Sequence, residues 1–370
     1  MRLLLTSSFF IAFALSLVLT ALIRKIAPRV GFVDRPSAHK RHRGPVPYGG
    51  GIAIALAACV VLFVPAFLAY QWTRNPSLLP VPEAIIPNVQ RAAEKLSQLL
   101  CILGGGLAMA LFGLWDDIRP TRPIHKLLAQ FIIATFVVAG SGIRISAFIQ
   151  VDWIQAAITV IWIVLLTNAF NLLDNMDGLS GTVAFICSAA LMTLALQTNQ
   201  FLIAGFLLVL AGAVLGFLFF NFPPAGIFLG DTGSLFIGYM LAVATALTTF
   251  ITKFNPIFPV LVPLIIFAVP LYDTLSVVAI RLTHKRPVML GDQNHFSHRL
   301  LRLGMGERRV LLTVGLLTLA TALGATVPYG NSTWQAVVPA VQTLAVIAVI
   351  VLLELVSSQV HYPDQGKPGR

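Results

Sequence analysis

Apolar runs long enough to cross a bilayer recur along this chain with only short polar connections between them, and that recurrence constrains the fold more than any single motif. A helix needs about 20 apolar residues to cross the hydrocarbon core, where its backbone must bond within its own segment. Such runs fall near residues 3–23, 49–71, 96–115, 127–140, 153–171, 180–197, 201–220, 232–251, 257–280, 309–328 and 336–357. The expectation is an all-α polytopic membrane bundle of about eleven spans. Charged residues make up 11% of the chain, against about a quarter in soluble proteins. Its 370 residues are therefore read as one transmembrane domain, residues 1–370, with a site built from loops at one end.

The first run is too long for a secretory signal, and Arg24, Lys25 and Arg29 follow it directly, so it is read as a retained span. Most of the 25 Lys and Arg residues fall in the loops 24–48, 115–126, 172–179, 221–231 and 281–308 and in the tail. By the positive-inside rule these loops are cytoplasmic, with the N-terminus outside and the C-terminus inside. The net charge of +11 marks topology rather than nucleic-acid binding, because the basic residues are short clusters without aromatic interleaving. Cys59, Cys101 and Cys187 lie within apolar segments without metal or disulfide spacing and read as small core side chains.

Carboxylates then collect on the basic face: Asp34, Asp116, Asp117, Asp174, Asp177, Asp231, Asp292 and Glu307. Ionisable groups at a membrane rim are costly and point to function. Adjacent Asp116 and Asp117 call for a cation, a metal or a raised pKa if both are shielded; a solvated helix end is the structural alternative. Lys126, opening the fourth span, offers a phosphate its point charge or snorkels to the interface. In Asn168-Ala-Phe-Asn171-Leu-Leu-Asp174-Asn-Met-Asp177-Gly178, a helical turn would set Asn171, Asp174 and Asp177 on one face, an oxygen-rich wall for a hard cation or a nucleotide, while Gly178 and Gly181 suggest a loop or broken helix lining a polar cavity.

Asp231, between Gly230 and the Thr232-Gly-Ser run, is either a helix cap or a magnesium ligand. Asp273, well inside the ninth span, is read as a buried hydrogen-bonding group. His295, His298 and Arg299 can neutralise a diphosphate, and their spacing fits no zinc site. The glycine runs 49–51 and 104–106 suit an anion-facing backbone and close helix packing, respectively.

These stretches together resemble the polyprenyl-phosphate N-acetylhexosamine-1-phosphate transferases: the Asp34-Arg-Pro loop with Lys40, His42 and Pro45 to Gly51, the Asp116-Asp117 pair, Asn171 to Gly178, Phe228-Leu-Gly-Asp231-Thr-Gly-Ser, and Asp292 to Leu300. The resemblance implies Mg²⁺-dependent transfer of a sugar 1-phosphate from a UDP-sugar to undecaprenyl phosphate with release of UMP, Mn²⁺ being a substitute cation. It implies that Asp231 and Asn171 hold the metal and that Asp116 and Asp117 face the lipid phosphate, as base or as positioning group. Asp174, Asp177, Lys126 and Asn221 would line the nucleotide pocket; His295, His298 and Arg299, with Lys40 and His42, would contact phosphates or sugar. It further implies a bacterial inner-membrane enzyme whose site faces the cytoplasm, and it admits a homodimer.

Ser297 stands where related histidine loops carry a third histidine, and the loop is nearer the UDP-N-acetylglucosamine branch than the muramoyl-pentapeptide branch. Two other classes stay open on the sequence alone. A secondary transporter would also use intramembrane acids, though near the bilayer midplane and between repeats, and a non-catalytic scaffold for envelope assembly would keep the same architecture.

Overall fold

A computed structural model describes residues 2–34, 44–78, 80–145, 149–248, 258–285, 295–327 and 334–359. The chain runs through α1 (Arg2–Ile26), the strands β1 (Val33–Asp34) and β2 (Val46–Pro47), α2 (Gly50–Arg74), α3 (Ile86–Glu94), α4 (Leu96–Ile118), α5 (Pro123–Ser141), α6 (Asp152–Leu173) and α7 (Leu179–Gln197). It continues through α8 (Phe201–Asn221), α9 (Gly230–Leu247), α10 (Phe258–Ile266), α11 (Ala268–Thr283), α12 (Phe296–Arg302), α13 (Glu307–Ala325) and α14 (Trp334–Gln359). Ten of these helices are long and apolar enough to cross a membrane. The protein is a multi-pass helical membrane protein.

The ninth expected run differs from a plain span. It is split into α10 and α11 on either side of Phe267, and neither piece alone has the length of a crossing. Proline explains the break. Pro270 has no N–H to donate back to Ile266, while Phe267 still bonds to Pro263 and Leu271 to Phe267.

Helix α9 is the centre of the bundle. Its window of mean hydropathy 1.2 is 83% buried, whereas α1, at 2.2, is only 17% buried. Central helices need small residues for close approach rather than bulk apolarity, since lipid supplies no drive to bury them. Glycines provide that approach. A Cβ on Gly51 of α2 would sit 2.1 Å from the Gly233 backbone nitrogen, and one on Gly113 of α4 would sit 2.4 Å from the Asp231 carbonyl oxygen. In the triplet 104–106, Gly105 and Gly106 pack against Tyr239 of α9, while Gly104 faces open space.

At the end where α4, α6 and α8 finish, β1 and β2 pair antiparallel, Val33 with Pro47 and Asp34 with Val46. The ribbon lies against the loop between α8 and α9: Phe228 N–H donates to the Pro47 carbonyl at 2.8 Å. The Gly50 and Gly51 amides donate to the carbonyls of Phe228 and Leu229, each at 3.0 Å. Those two amides therefore join backbone to backbone, and the anion-facing role expected for them does not apply.

Candidate active site

Four helix ends converge here: the C-termini of α4 and α6 and the N-termini of α5 and α9. Asp117 Oδ1 accepts the Asp231 N–H at 2.7 Å; Oδ2 accepts the Thr232 N–H at 3.0 Å and the Thr232 hydroxyl at 2.6 Å. The first amides of a helix have no partner within it, so Asp117 caps α9 from a different helix. Asp231 does not perform that cap itself, and its side chain turns instead to Lys126 and Asn171.

Asp116 turns the other way. Its Oδ1 accepts the Thr121 N–H at 2.7 Å and the Thr121 hydroxyl, and its Oδ2 faces Lys126 Nζ at 3.4 Å. Lys126 also pairs with Asp231 Oδ2, and so bridges two carboxylates. The other Asp231 oxygen accepts Asn171 Nδ2 at 2.8 Å, and that same amide reaches Ser234 Oγ at 2.9 Å. One turn deeper, Gln130 of α5 pairs with Asn168 of α6, which puts a second polar contact beneath Lys126 and Asn171.

The turn between α6 and α7 carries Asp174 and Asp177 beside this cluster. Burial pushes the Asp174 carboxyl well above its usual range, and the charges of Asp231, Asp117 and Asp177 add to the effect while Lys126 opposes it. Asp177 Oδ2 accepts the Ala225 N–H at 2.8 Å. Asn221 is buried and bonds both ways, accepting from Gly178 N–H at 2.9 Å and donating to the Ile227 carbonyl at 2.8 Å. Asp177 and Asn221 thus fasten the turn to the α8–α9 loop. Tyr48 borders the site from the ribbon: burial first, then the charge of Asp34 beside it, raises its phenol.

The histidine segment approaches through α12. His295 Nδ1 lies 2.8 Å from Asp273 Oδ2, and Phe296 N–H donates to Asp273 Oδ1 at 2.7 Å. Asp273 is the buried hydrogen-bonding group expected, and what it holds is the start of α12. Ser297 donates to Asn175 Oδ1 at 2.5 Å, which connects α12 to the turn bearing Asp174 and Asp177. The His295 and His298 rings are 6.3 Å apart. Arg299 pairs with Glu354 of α14 at 2.7 Å. Lys40, His42 and Asp292 lie outside the described residues.

Thr121 and Glu354 also make contacts here and were not singled out from the sequence, while Thr232 and Ser234 stood there only as part of the motif that holds Asp231. Thr232 follows directly on Asp231 and could have been found as a second capping donor. Glu354 gave a signal as well, being a carboxylate in an apolar run.

The family model for glycosyl transferase family 4 matches residues 99–249, from α4 to the end of α9. A probable undecaprenyl-phosphate N-acetylglucosaminyl 1-phosphate transferase of Bacillus subtilis is 31% identical over 335 residues, covering 88% of this chain and 86% of the relative. The chain belongs to glycosyl transferase family 4. An undecaprenyl-phosphate alpha-N-acetylglucosaminyl 1-phosphate transferase of Yersinia pestis is 28% identical, covering 84% of this chain and 80% of the relative. A phospho-N-acetylmuramoyl-pentapeptide-transferase of Desulforudis audaxviator is 28% identical, covering 85% and 94%. The family 4 match takes in the Asp116–Lys126–Asp231–Asn171 cluster and both fastened loops, and it stops short of α12.

Proposed function

We propose that this family 4 transferase moves N-acetylglucosamine 1-phosphate from UDP-N-acetylglucosamine to undecaprenyl phosphate and releases UMP. The reaction would start a lipid-linked envelope glycan at the cytoplasmic face of a bacterial inner membrane. The observation that carries this reading is the Lys126 bridge between Asp116 and Asp231, with Asn171 on the other oxygen of Asp231. It is a compact charged cluster at a helix-bundle rim, where a soluble diphosphate can meet a membrane-held phosphate. The names of the Bacillus and Yersinia relatives favour this donor, and the basic loops favour the cytoplasmic orientation.

A lipid phosphate oxygen attacks the sugar-bearing phosphorus of the donor. The bond from that phosphorus to the bridging oxygen breaks, and UMP leaves with the electron pair. Asp231 and Asn171 would hold Mg²⁺, or Mn²⁺ in its place, because carboxylate and amide oxygens suit a hard divalent cation. When bound, that ion offsets diphosphate charge and stabilises the charge on departing UMP.

The remaining work belongs to the chain. Lys126 adds a positive charge on the phosphate side of Asp231. Asp117 orders the start of α9 and thereby the direction of the Asp231 side chain. Asp174, Asp177 and Asn221 shape the nucleotide wall, and α12 closes the sugar side. A proton acceptor is needed only if the lipid phosphate enters as a monoanion, and its second pKa is about 6, as for other phosphate monoesters.

The test is UMP release from membranes or purified protein, with UDP-N-acetylglucosamine and UDP-N-acetylmuramoyl-pentapeptide as parallel donors. Release is expected with the first donor, only when undecaprenyl phosphate and Mg²⁺ are both present, and it should be lost in Asp231→Ala. Release with the second donor alone would transfer the assignment to the muramoyl branch. Proton-driven solute uptake without any UMP release would replace the transferase reading by a transporter.

A further inference from the structure

Three helices outside the charged cluster form a closed polar triangle. Tyr272 of α11 donates to Glu354 Oε2 of α14 at 2.7 Å. The same Oε2 pairs with Arg299 of α12 at 2.7 Å, and Ser357 of α14 donates to the Arg299 carbonyl at 3.0 Å. The adjacent α11 residue, Asp273, holds His295 and the first amide of α12. Helix α12 has only seven residues, too few to hold a shape by itself, so these attachments determine where it sits.

Geometry then gives the clip a direction. At 100° per residue, Ser297 and Arg299 leave α12 on nearly opposite sides, with His298 between them. Ser297 meets Asn175, next to the Asp174–Asp177 wall, and Arg299 meets Glu354 on the far side. Tension or slack at the Arg299 end is therefore passed to His298 and to the turn at the site.

Stability does not account for Glu354. A carboxylate in a membrane helix is costly, buried ion pairs are often matched by apolar replacements, and Glu354 Oε1 is buried with no hydrogen-bond partner among the described residues. A leucine would pack α14 more cheaply, whereas a carboxylate whose one oxygen is held by both a guanidinium nitrogen and a phenol sets one position.

We propose that Glu354 is a positioning residue for donor recognition, holding Arg299 so that α12 meets the nucleotide sugar in one register. This rests on the transferase function proposed above. Steady-state constants for both substrates should be measured on wild type, Glu354→Gln, Glu354→Ala and Tyr272→Phe in the same detergent. Glu354→Ala should raise KM for UDP-N-acetylglucosamine about tenfold, with kcat and the KM for undecaprenyl phosphate within about threefold. Glu354→Gln, which keeps shape and loses charge, should be intermediate.

If Glu354→Ala fails to fold, Tyr272→Phe keeps the ion pair and should still raise the donor KM by a smaller factor. Unchanged donor KM in Glu354→Gln and Tyr272→Phe, or a fall in kcat with both KM values unchanged, overturns the inference alone. A wild type that turns over no nucleotide sugar overturns both it and the transferase reading.

Discussion

Asp117 caps a helix to which it does not belong, holding the backbone amides of Asp231 and Thr232 at 2.7 and 3.0 Å. The position of Asp231 is thus set from α4, across the helix interface, and two further contacts leave little slack. A Cβ on Gly230 would lie 2.6 Å from Asp117 Oδ2, and one on Gly113 would lie 2.4 Å from the Asp231 carbonyl oxygen.

Removing the Asp117 charge while keeping its shape should be severe. In Asp117→Asn an amide N–H₂ faces either the Asp231 N–H or the Thr232 donors, so a buried donor is stranded at a cost of about 1–3 kcal/mol. Asp231 is then displaced. A fall in kcat of about 10²-fold or more is expected. Thr232→Val removes only the hydroxyl bond, leaves both amides capped, and should cost less than about tenfold. UMP-release kinetics on the two variants check the ordering, and equal losses would contradict it.

The glycine contacts make a separate expectation with a built-in control. Gly113→Ala forces its methyl into the Asp231 backbone, where nothing flexible can yield, so activity should drop and the melting temperature should fall by several degrees. Gly104 lies nine residues earlier on the same helix and has nothing within 4 Å of a Cβ. Gly104→Ala should match wild type in activity and melt no lower, since helix propensity favours it by about 1 kcal/mol.

The spans and the acids of the charged cluster were legible because both are local signals. Apolar length marks a crossing, and a carboxylate at its rim stands out against it. Asn171 and Asp231 are 60 residues apart in sequence and meet at 2.8 Å, and only the family resemblance gave reason to bring them together. What escaped the sequence depends on partners rather than on spacing. Asp117 looked like one half of a repelling pair until the amides of α9 were seen to occupy it. The break in the ninth run lay hidden because Pro263 and Pro270 sit in an otherwise continuous apolar stretch. The Arg299–Glu354 pair joins helices whose separation in sequence carries no periodicity to read.

Asp174 offers a pH-dependent expectation. Burial and the neighbouring carboxylates raise its value above the ordinary 3.8, so in metal-free, ligand-free protein its ionisation opposes folding. Below the ordinary value the carboxyl is neutral in both folded and unfolded chains, and the penalty is absent. It grows as pH rises past that point, because the unfolded chain ionises first, and it levels off above the raised folded value. Asp174→Asn should therefore melt a few degrees above wild type at pH 7–8 in EDTA, the gap closing as pH approaches about 4. The same variant should lose activity, a site group maintained at the expense of stability. Equal melting temperatures across this range would contradict the enclosure of Asp174.

Asn221 and Asp177 separate connection from charge at the two fastened loops. Asn221→Ala strands the Gly178 N–H and the Ile227 carbonyl, both buried with their partner, at about 1–3 kcal/mol for each group left unpaired. The variant should lower the melting temperature and raise the donor KM together, because the turn carrying Asp174 then keeps only the Asp177–Ala225 tie to the loop leading to Asp231. Asp177→Asn behaves differently. Its amide oxygen still accepts the Ala225 N–H, so the melting temperature should stay within a degree or two of wild type, and any change in donor KM then reports the lost charge. Melting curves and donor titrations on the two proteins test this contrast, and a destabilised Asp177→Asn beside an unaffected Asn221→Ala would reverse the assignment.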